Sequence, residues 1–527
     1  MDLVFNKVSY HPSEEITGLS PGEGTILVTR LGVMVAKYTC TDTFNLGTFP
    51  EGAYAITWNG SSGEIMTSAF EVLRDPWSRI RYGFVSEYSD SVVVDNYISW
   101  AKTLHLTSIQ FYDWAWRHEI LTTDELHYRD SLGNDISTEK IKELINEYTQ
   151  IGSIPSGYVA VYAVDSQGWQ RWQKAGLFDV NGNPYQLGED FLWILDPADS
   201  YWLPHLVSQL QNAHKFGFSA FHLDQYGWPK HALRADGTLV DLAVQFPKML
   251  NEIVKVLPEC RHIFNNVNDF PTWSTTQADQ DATYIEVWEP HTTYDHLANL
   301  VCKARNYNPA RPIILSAYLR PFKDAEEEVN CAEAITSFEL TYSSIVSGGA
   351  SHLITGGDGR VLHDPYYVNN HQASESSKQV MRNYYDFTVA AGDLLYDSSR
   401  VDVTLTHAFG INNEIKLISN VPISPEATAG HLWIRIFTGQ TGLTIHAINL
   451  LDQEDSFWDK PKVVISAEVR LKISIQAEGF LDQASVGHAC DGAVFALKAM
   501  EVDENRIQLE VDVHGAWTIA NIPYRSK

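Results

Sequence analysis

The chain has 527 residues, 44% hydrophobic and 20% charged, enough to bury a large core, so disorder and a disulfide-held miniprotein are excluded. Its 38 Lys and Arg face 66 Asp and Glu, a formal net charge of −28, which argues against a nucleic-acid partner held through clustered cations. Fifteen Trp and 25 Tyr supply flat rings for the core or for stacking on a ligand.

Residues 1–75 read as short β-rich runs, Ile26–Thr29, Val33–Ala36 and Ala53–Trp58, punctuated by Gly, Asn, Ser and Pro. That pattern suits an N-terminal, immunoglobulin-like β-sandwich ending at Asp75-Pro76-Trp77. From 76 to 393 apolar runs alternate with amphipathic stretches such as Glu139–Ile145 and Leu242–Val256. Eight strands are expected: Ile80–Val85, Ser108–Tyr112, Tyr158–Tyr162, Ala220–Leu223, His262–Asn265, Thr283–Val287, Pro312–Leu315 and His352–Ile354. Eight such units predict a central (β/α)8 barrel with long loops after its early strands. An open doubly wound sheet is the alternative, but no Gly-rich phosphate fingerprint follows any strand. Residues 394–527 return to strand patterns, with Leu432–Phe437, Leu443–Ile448, Val463–Ile465, Leu471–Ile475 and Ile507–Val511, which predicts a C-terminal Greek-key β-sandwich.

The cysteines, Cys40, Cys260, Cys302, Cys331 and Cys490, are scattered and odd in number, with no Cys/His cluster, so neither a zinc site nor a disulfide framework is expected. His291, His296 and His371 have no partner at metal-ligand spacing, and no metal or other cofactor is expected. No run approaches ~20 apolar residues, so no membrane-spanning helix is expected. The start lacks the basic and apolar regions of a signal peptide, consistent with a cytoplasmic protein or with a secreted form whose leader has been removed. No protein partner is evident.

Chemistry in such a barrel sits at the C-terminal ends of the strands. In Ala220–Gly227, alternation sends Phe221 and Leu223 to the helix layer and turns His222 and Asp224 inward. In Thr283–Trp288, Ile285 and Val287 face outward while Tyr284, Glu286 and Trp288 face inward. Two acids on alternate strands beside aromatic rings suit work on a sugar: one carboxylate attacks the anomeric carbon, supported by donors such as His222, and the other protonates the leaving oxygen. The competing structural reading makes Asp224 a turn cap and Glu286 an ion-pair partner. Weaker candidates for binding are Asp113, which could instead pair with Arg117 or His118; Tyr162; Asn265-Asn266; Asp358 in the turn Gly356–Gly359; and Tyr366-Tyr367, a platform or a packing pair.

The stretches Phe221–Gly227 and Tyr284–Trp288, with Ile109–Trp114 and Arg117-His118 before them, resemble glycoside hydrolase family 66, the dextranases and cycloisomaltooligosaccharide glucanotransferases. Gly357–Gly359, Pro365–Tyr367 and His446–Leu450 extend the likeness over about residues 80–450. It implies the same three-part fold and a retaining mechanism on α-1,6-glucan, with Asp224 as nucleophile and Glu286 as acid/base. Substrate contacts are expected from Tyr112, Asp113, Trp114, His118, Tyr162, His222, Gln225, Asn266, Trp288, Asp358 and Tyr366. The cyclising transferases carry a module between the seventh and eighth strands; here only about 35 residues separate Ser316 from Ser351, which favours dextranase-type hydrolysis of dextran or isomaltooligosaccharides. The alternatives are a glucanotransferase making cyclic or longer products and a noncatalytic glucan-binding protein.

Overall fold

A computed structural model describes residues 3–325, 328–476, 483–503 and 505–524. Near the N-terminus, strands Val33–Cys40, Gly24–Arg30, Gly52–Gly60 and Ile65–Val72 pair in that order, all antiparallel. A three-stranded sheet of Val4–Phe5, Thr17–Leu19 and Thr43–Asn45 shares their core, in which Phe5, Ile26, Phe44, Ile56 and Phe70 are buried. The period-two pattern read from the sequence is visible in Gly24–Arg30, where Ile26 and Val28 are buried and their neighbours half-buried.

A curled parallel sheet holds the centre. Its strands are β1 (Tyr82–Val85), β2 (Ser108–Phe111), β3 (Ile154–Ala160), β4 (Ala220–Asp224), β5 (Arg261–Asn265), β6 (Ala282–Glu286), β7 (Ile313–Ser316), β8 (Ser351–His352) and β9 (Thr355–Gly356). Strands β1 to β8 pair successively in parallel. Two residues beyond β8, β9 pairs in parallel with β1 through Gly356 and Phe84, and Ser351 Oγ of β8 accepts from Tyr82 N at 3.3 Å. One six-residue segment, 351–356, therefore touches both edges of the sheet. The third strand expected from the sequence begins too late, at Tyr158, and runs two residues too far. The last bond to β4 is Val161 N to Asp224 O at 3.0 Å, and from Tyr162 the chain turns to other partners, Tyr162 O accepting from Leu195 N at 2.7 Å.

Helices cover the sheet: Val94–Thr103, Thr138–Gln150, Trp202–Phe216, Leu242–Val256, Tyr294–Tyr307, Glu328–Val346 and Glu375–Ala390. Several of their starts are chemically marked. Asp241 accepts from Ala243 N at 3.0 Å ahead of Leu242–Val256, whose buried face is Leu242, Phe246, Met249, Leu250 and Ile253. Thr293 and His296 form a reciprocal cap at the start of Tyr294–Tyr307. Between β5 and β6 the chain makes only short turns of helix, the longest being Thr272–Thr275, and the two strands are direct neighbours, so their end loops lie close together.

Towards the C-terminus, Val401–Asp402, Leu432–Gly439, Gly442–Asn449, Trp517–Ile522, Gln483–His488 and Ala493–Lys498 form one sheet, and Ile423–Ser424 adds to Leu432–Gly439. A second sheet is built from Ile415–Ser419, Val469–Gln476, Arg506–Val513 and Met500–Asp503. Ile434, Ile445, Leu471, Ile473 and Leu509 are buried in their shared core. Val463–Ile465 is not a strand: the Gln453 side chain takes the backbone of Val463 at both N (3.0 Å) and O (2.8 Å), and Val463 and Val464 are exposed. All five cysteines are unpaired. Among the described residues no helix is long and apolar enough to cross a membrane.

Candidate active site

Asp224 and Glu286 are the last residues of β4 and β6. Below them, His222 stacks 6.0 Å from both Tyr82 and Tyr158 and meets Tyr284 edge-on at 4.7 Å. These rings come from β1, β3, β4 and β6 and form an aromatic layer on the inner side of the sheet. Phe221, on the opposite face of β4, packs against His262 instead. Strand alternation therefore holds on both sides, and it lifts the two acids one step above the aromatic layer.

Both carboxyls are tied down by neutral donors. Tyr158 Oη donates to Asp224 Oδ2 at 2.6 Å, and Tyr318 Oη donates to Glu286 Oε1 at 2.8 Å. Asn265, the last residue of β5, lies between them and donates from one nitrogen to both, at 2.7 Å to Asp224 Oδ1 and 3.0 Å to Glu286 Oε2. Those two distances set an upper limit of about 5.7 Å on the separation of the bonded oxygens, and the ~120° between the N–H bonds of a planar amide brings it to about 5 Å. Glu286 bonds to Asn265 and Tyr318 rather than to a Lys or Arg, and Asp224, besides its side-chain donors, also meets the backbone N–H of Gln225.

Burial raises the pKa of Asp224 to about 7, with the Glu286 charge adding to the rise, and burial likewise raises Glu286. Two like charges this close oppose one another, so the pair holds one proton near neutral pH. His222 does not support Asp224 as expected. Its Nδ1 faces Tyr82 Oη at 3.2 Å, and burial lowers its pKa to about 3, so the ring is uncharged.

The acids open into a cleft of about 570 Å³ lined by Tyr226, Lys230, Asn268, Phe270, Trp288 and Tyr366 among others. The sequence profile of glycosyl hydrolase family 66 matches residues 52–481. The chain belongs to glycosyl hydrolase family 66. Two curated relatives in Niallia circulans, both named cycloisomaltooligosaccharide glucanotransferase, are 24% identical over 294 and 286 residues, which is 49% and 48% of this chain. The matches span only 30% and 29% of those relatives' length. A solved cycloisomaltooligosaccharide glucanotransferase of Paenibacillus sp., in complex with cycloisomaltoheptaose, has the same fold, with a TM-score of 0.87 over 99% of each chain at 15% identity. A maltogenic α-amylase of Thermotoga neapolitana is a more distant fold relative, at TM-score 0.54 and 8% identity over 86% of this chain and 100% of that one.

Among the other expected site residues of this family-66 chain, Trp288 and the half-exposed Tyr366 line the cleft. Tyr112 is buried and stacks on Tyr367 at 4.3 Å, and Asp113, in a left-handed turn (φ 46°), has its pKa raised to about 7 by burial and by Asp130 and Asp224. Asp113 and His118 border a separate small cavity with Tyr158 and Asp130. Arg117 bonds to the carbonyls of Trp116 and Arg129, so the Asp113–Arg117 pair does not form.

Four of the expected contacts, Trp114, Tyr162, Asn266 and Asp358, lie outside the cleft lining. Trp114 is buried against Phe216 and Phe218, with its indole N–H on Tyr158 O. Tyr162 is fully buried, with its hydroxyl engaged by Trp228 O and Tyr226 N; Tyr158, four residues earlier, reaches the carboxylate. Gln225, by contrast, lines the cleft, while its amide nitrogen holds the carbonyls of Asn265 and Phe270. Asn266 points away from the acids, bonded to Phe264 O, Tyr284 O and Thr275; its neighbour Asn265 is the amide of the site. Asp358 pairs with Arg360 at 3.0 Å outside the cleft.

Sequence reasoning also missed Tyr318. It lies two and four residues beyond Ser316 and Ile314, at the same parity, and extending the alternation past β7 would have found it. Two groups of side chains that no sequence spacing brings together, His214 with Glu259 and Cys260 and His488 with Asp491 and His514, lie outside the cleft lining.

Proposed function

We propose that the protein cleaves α-1,6-glucosidic bonds by double displacement and passes the glycosyl group to a sugar hydroxyl, forming cyclic or longer isomaltooligosaccharides. The observation that carries the mechanism is the pair of carboxyls held about 5 Å apart by one amide nitrogen, close to the ~5–5.5 Å of retaining enzymes and short of the ~6.5–9.5 Å of inverting ones. Asp224 attacks the anomeric carbon while Glu286 gives its proton to the departing glycosidic oxygen. Glu286, now a carboxylate, then takes the proton of an incoming hydroxyl as that oxygen attacks the glycosyl ester and frees Asp224. Trp288, Tyr226 and Tyr366 offer ring faces to the sugars. The names of the two relatives support transfer as the fate of the intermediate.

The setting we infer is a closed (β/α)8 barrel over residues 76–393, in which β8 and β9 are one interrupted stave, with β-sandwiches at 1–75 and 394–527. A second reading, dextranase-type hydrolysis, is favoured by the short β7–β8 connection, which holds only Arg320–Asp324 and helix Glu328–Val346 among the described residues. Incubation with dextran and isomaltooligosaccharides of defined length, with products resolved over time, separates the two. Cyclic or lengthened products support transfer, and shorter linear products alone support hydrolysis. Binding without any bond cleavage would overturn both in favour of a noncatalytic glucan-binding protein.

A further inference from the structure

We infer that Asn265 is a positioning residue that sets the ionisation of the carboxyl pair in both halves of the reaction; this rests on the double-displacement reading above. The reaction starts from the form of the pair whose one shared proton is on Glu286 and whose negative charge is on Asp224. In the glycosyl-enzyme Asp224 is an ester and the charge sits on Glu286. The amide gives one N–H to each acid, so one donor already faces the charge in either state and nothing has to reorganise between them.

The amide's orientation and place are fixed. Turned over, its oxygen would face two carboxyls, so the donor side must point at the acids. Among the described residues no partner reaches the buried Oδ1, and the amide is held through its N–H groups. Its backbone is paired with Tyr284 of β6, and its carbonyl accepts from Gln225 Nε2 at 3.0 Å, the residue directly after Asp224. The β4 and β6 sides of the site therefore both hold the residue that bridges them.

The test is the pH dependence of kcat/KM for an isomaltooligosaccharide in Asn265→Ala and in the isosteric Asn265→Asp. Each N–H favours the charged form of the acid it meets, so removing the amide raises both ionisations. Both limits of the bell should move up by about one pH unit in Asn265→Ala, and further in Asn265→Asp, which puts an acid where the donors were. KM should stay within about twofold, because the amide acts on the carboxyls rather than on sugar. Thermal melts showing a cooperative transition establish that each variant is folded. A bell that keeps its limits and only loses height overturns the inference. Asp224→Asn and Glu286→Gln distinguish the two levels: if these retain turnover the double-displacement reading fails, whereas if they are inactive and the Asn265→Ala limits stay put, only the role of Asn265 fails.

Discussion

At the scale of single residues, the site trades stability for chemistry. Burial, with the Glu286 charge adding to it, raises Asp224 to about 7, far above an ordinary aspartate, and the proton lost there is shared by the two acids. A carboxyl with a raised folded pKa contributes its full stability below its unfolded pKa, and that contribution is lost as pH rises through the folded value. Asp224→Asn should therefore melt higher than the parent at pH 8, with the difference shrinking towards pH 4; an equal difference at both pH values would contradict this ionisation. Tyr158→Phe removes a hydroxyl 2.6 Å from Asp224, a charge-assisted bond worth about 1.5–3 kcal/mol. Its expected effect is an acid limit of kcat/KM moved up by about one to two units. The acids are legible in the sequence because apolar Phe221, Leu223, Ile285 and Val287 fix the parity of their strands. Asn265 follows by the same count from Phe264, although the doubled amide points equally to Asn266. Tyr158 is hidden when its strand is read as starting there rather than at Ile154.

At the scale of elements, most strands can be read because they are short apolar runs between turn residues, and helices because Asp241, Thr293 and Ser374 cap apolar faces. What cannot be read is where side chains replace backbone partners, as Gln453 does for Val463. The break between β8 and β9 is also invisible, since it depends on contacts with both edges of the sheet. Gly356 is the tightest point there: a Cβ would fall on the backbone of Phe84, across the β9–β1 pairing. Gly356→Ala should destabilise the protein by about 1–3 kcal/mol, read as a lower denaturant midpoint. An unchanged midpoint would mean that this pairing does not hold the sheet.

At the scale of the whole molecule, helix Glu375–Ala390 is the common support. It packs against Gly52–Gly60 and Ile65–Val72 on one side and Ala493–Lys498 on another, and Phe387 meets Trp517 edge-on at 5.0 Å. Its buried Asp386 accepts from Ser68 Oγ at 3.0 Å, Ala69 N at 3.2 Å and His105 Nε2 at 2.9 Å, tying the N-terminal sheet to the central one. Asp386→Ala strands these donors and should cost about 3 kcal/mol, seen as a lower melting temperature, with kcat retained below the transition. Loss of kcat in the folded variant would show that the support also shapes the site. Asp386 lies 318 positions from Ser68 and 281 from His105, and no local pattern announces such ties.

The most direct measurement is to trap the intermediate with a fluorinated α-glucosyl fluoride that forms the glycosyl ester quickly and releases it slowly, then digest the protein and locate the sugar by mass spectrometry. The expected result is a single ester on Asp224, absent from Asp224→Asn. A sugar on any other residue, or inactivation with no covalent adduct, would contradict nucleophilic attack by Asp224.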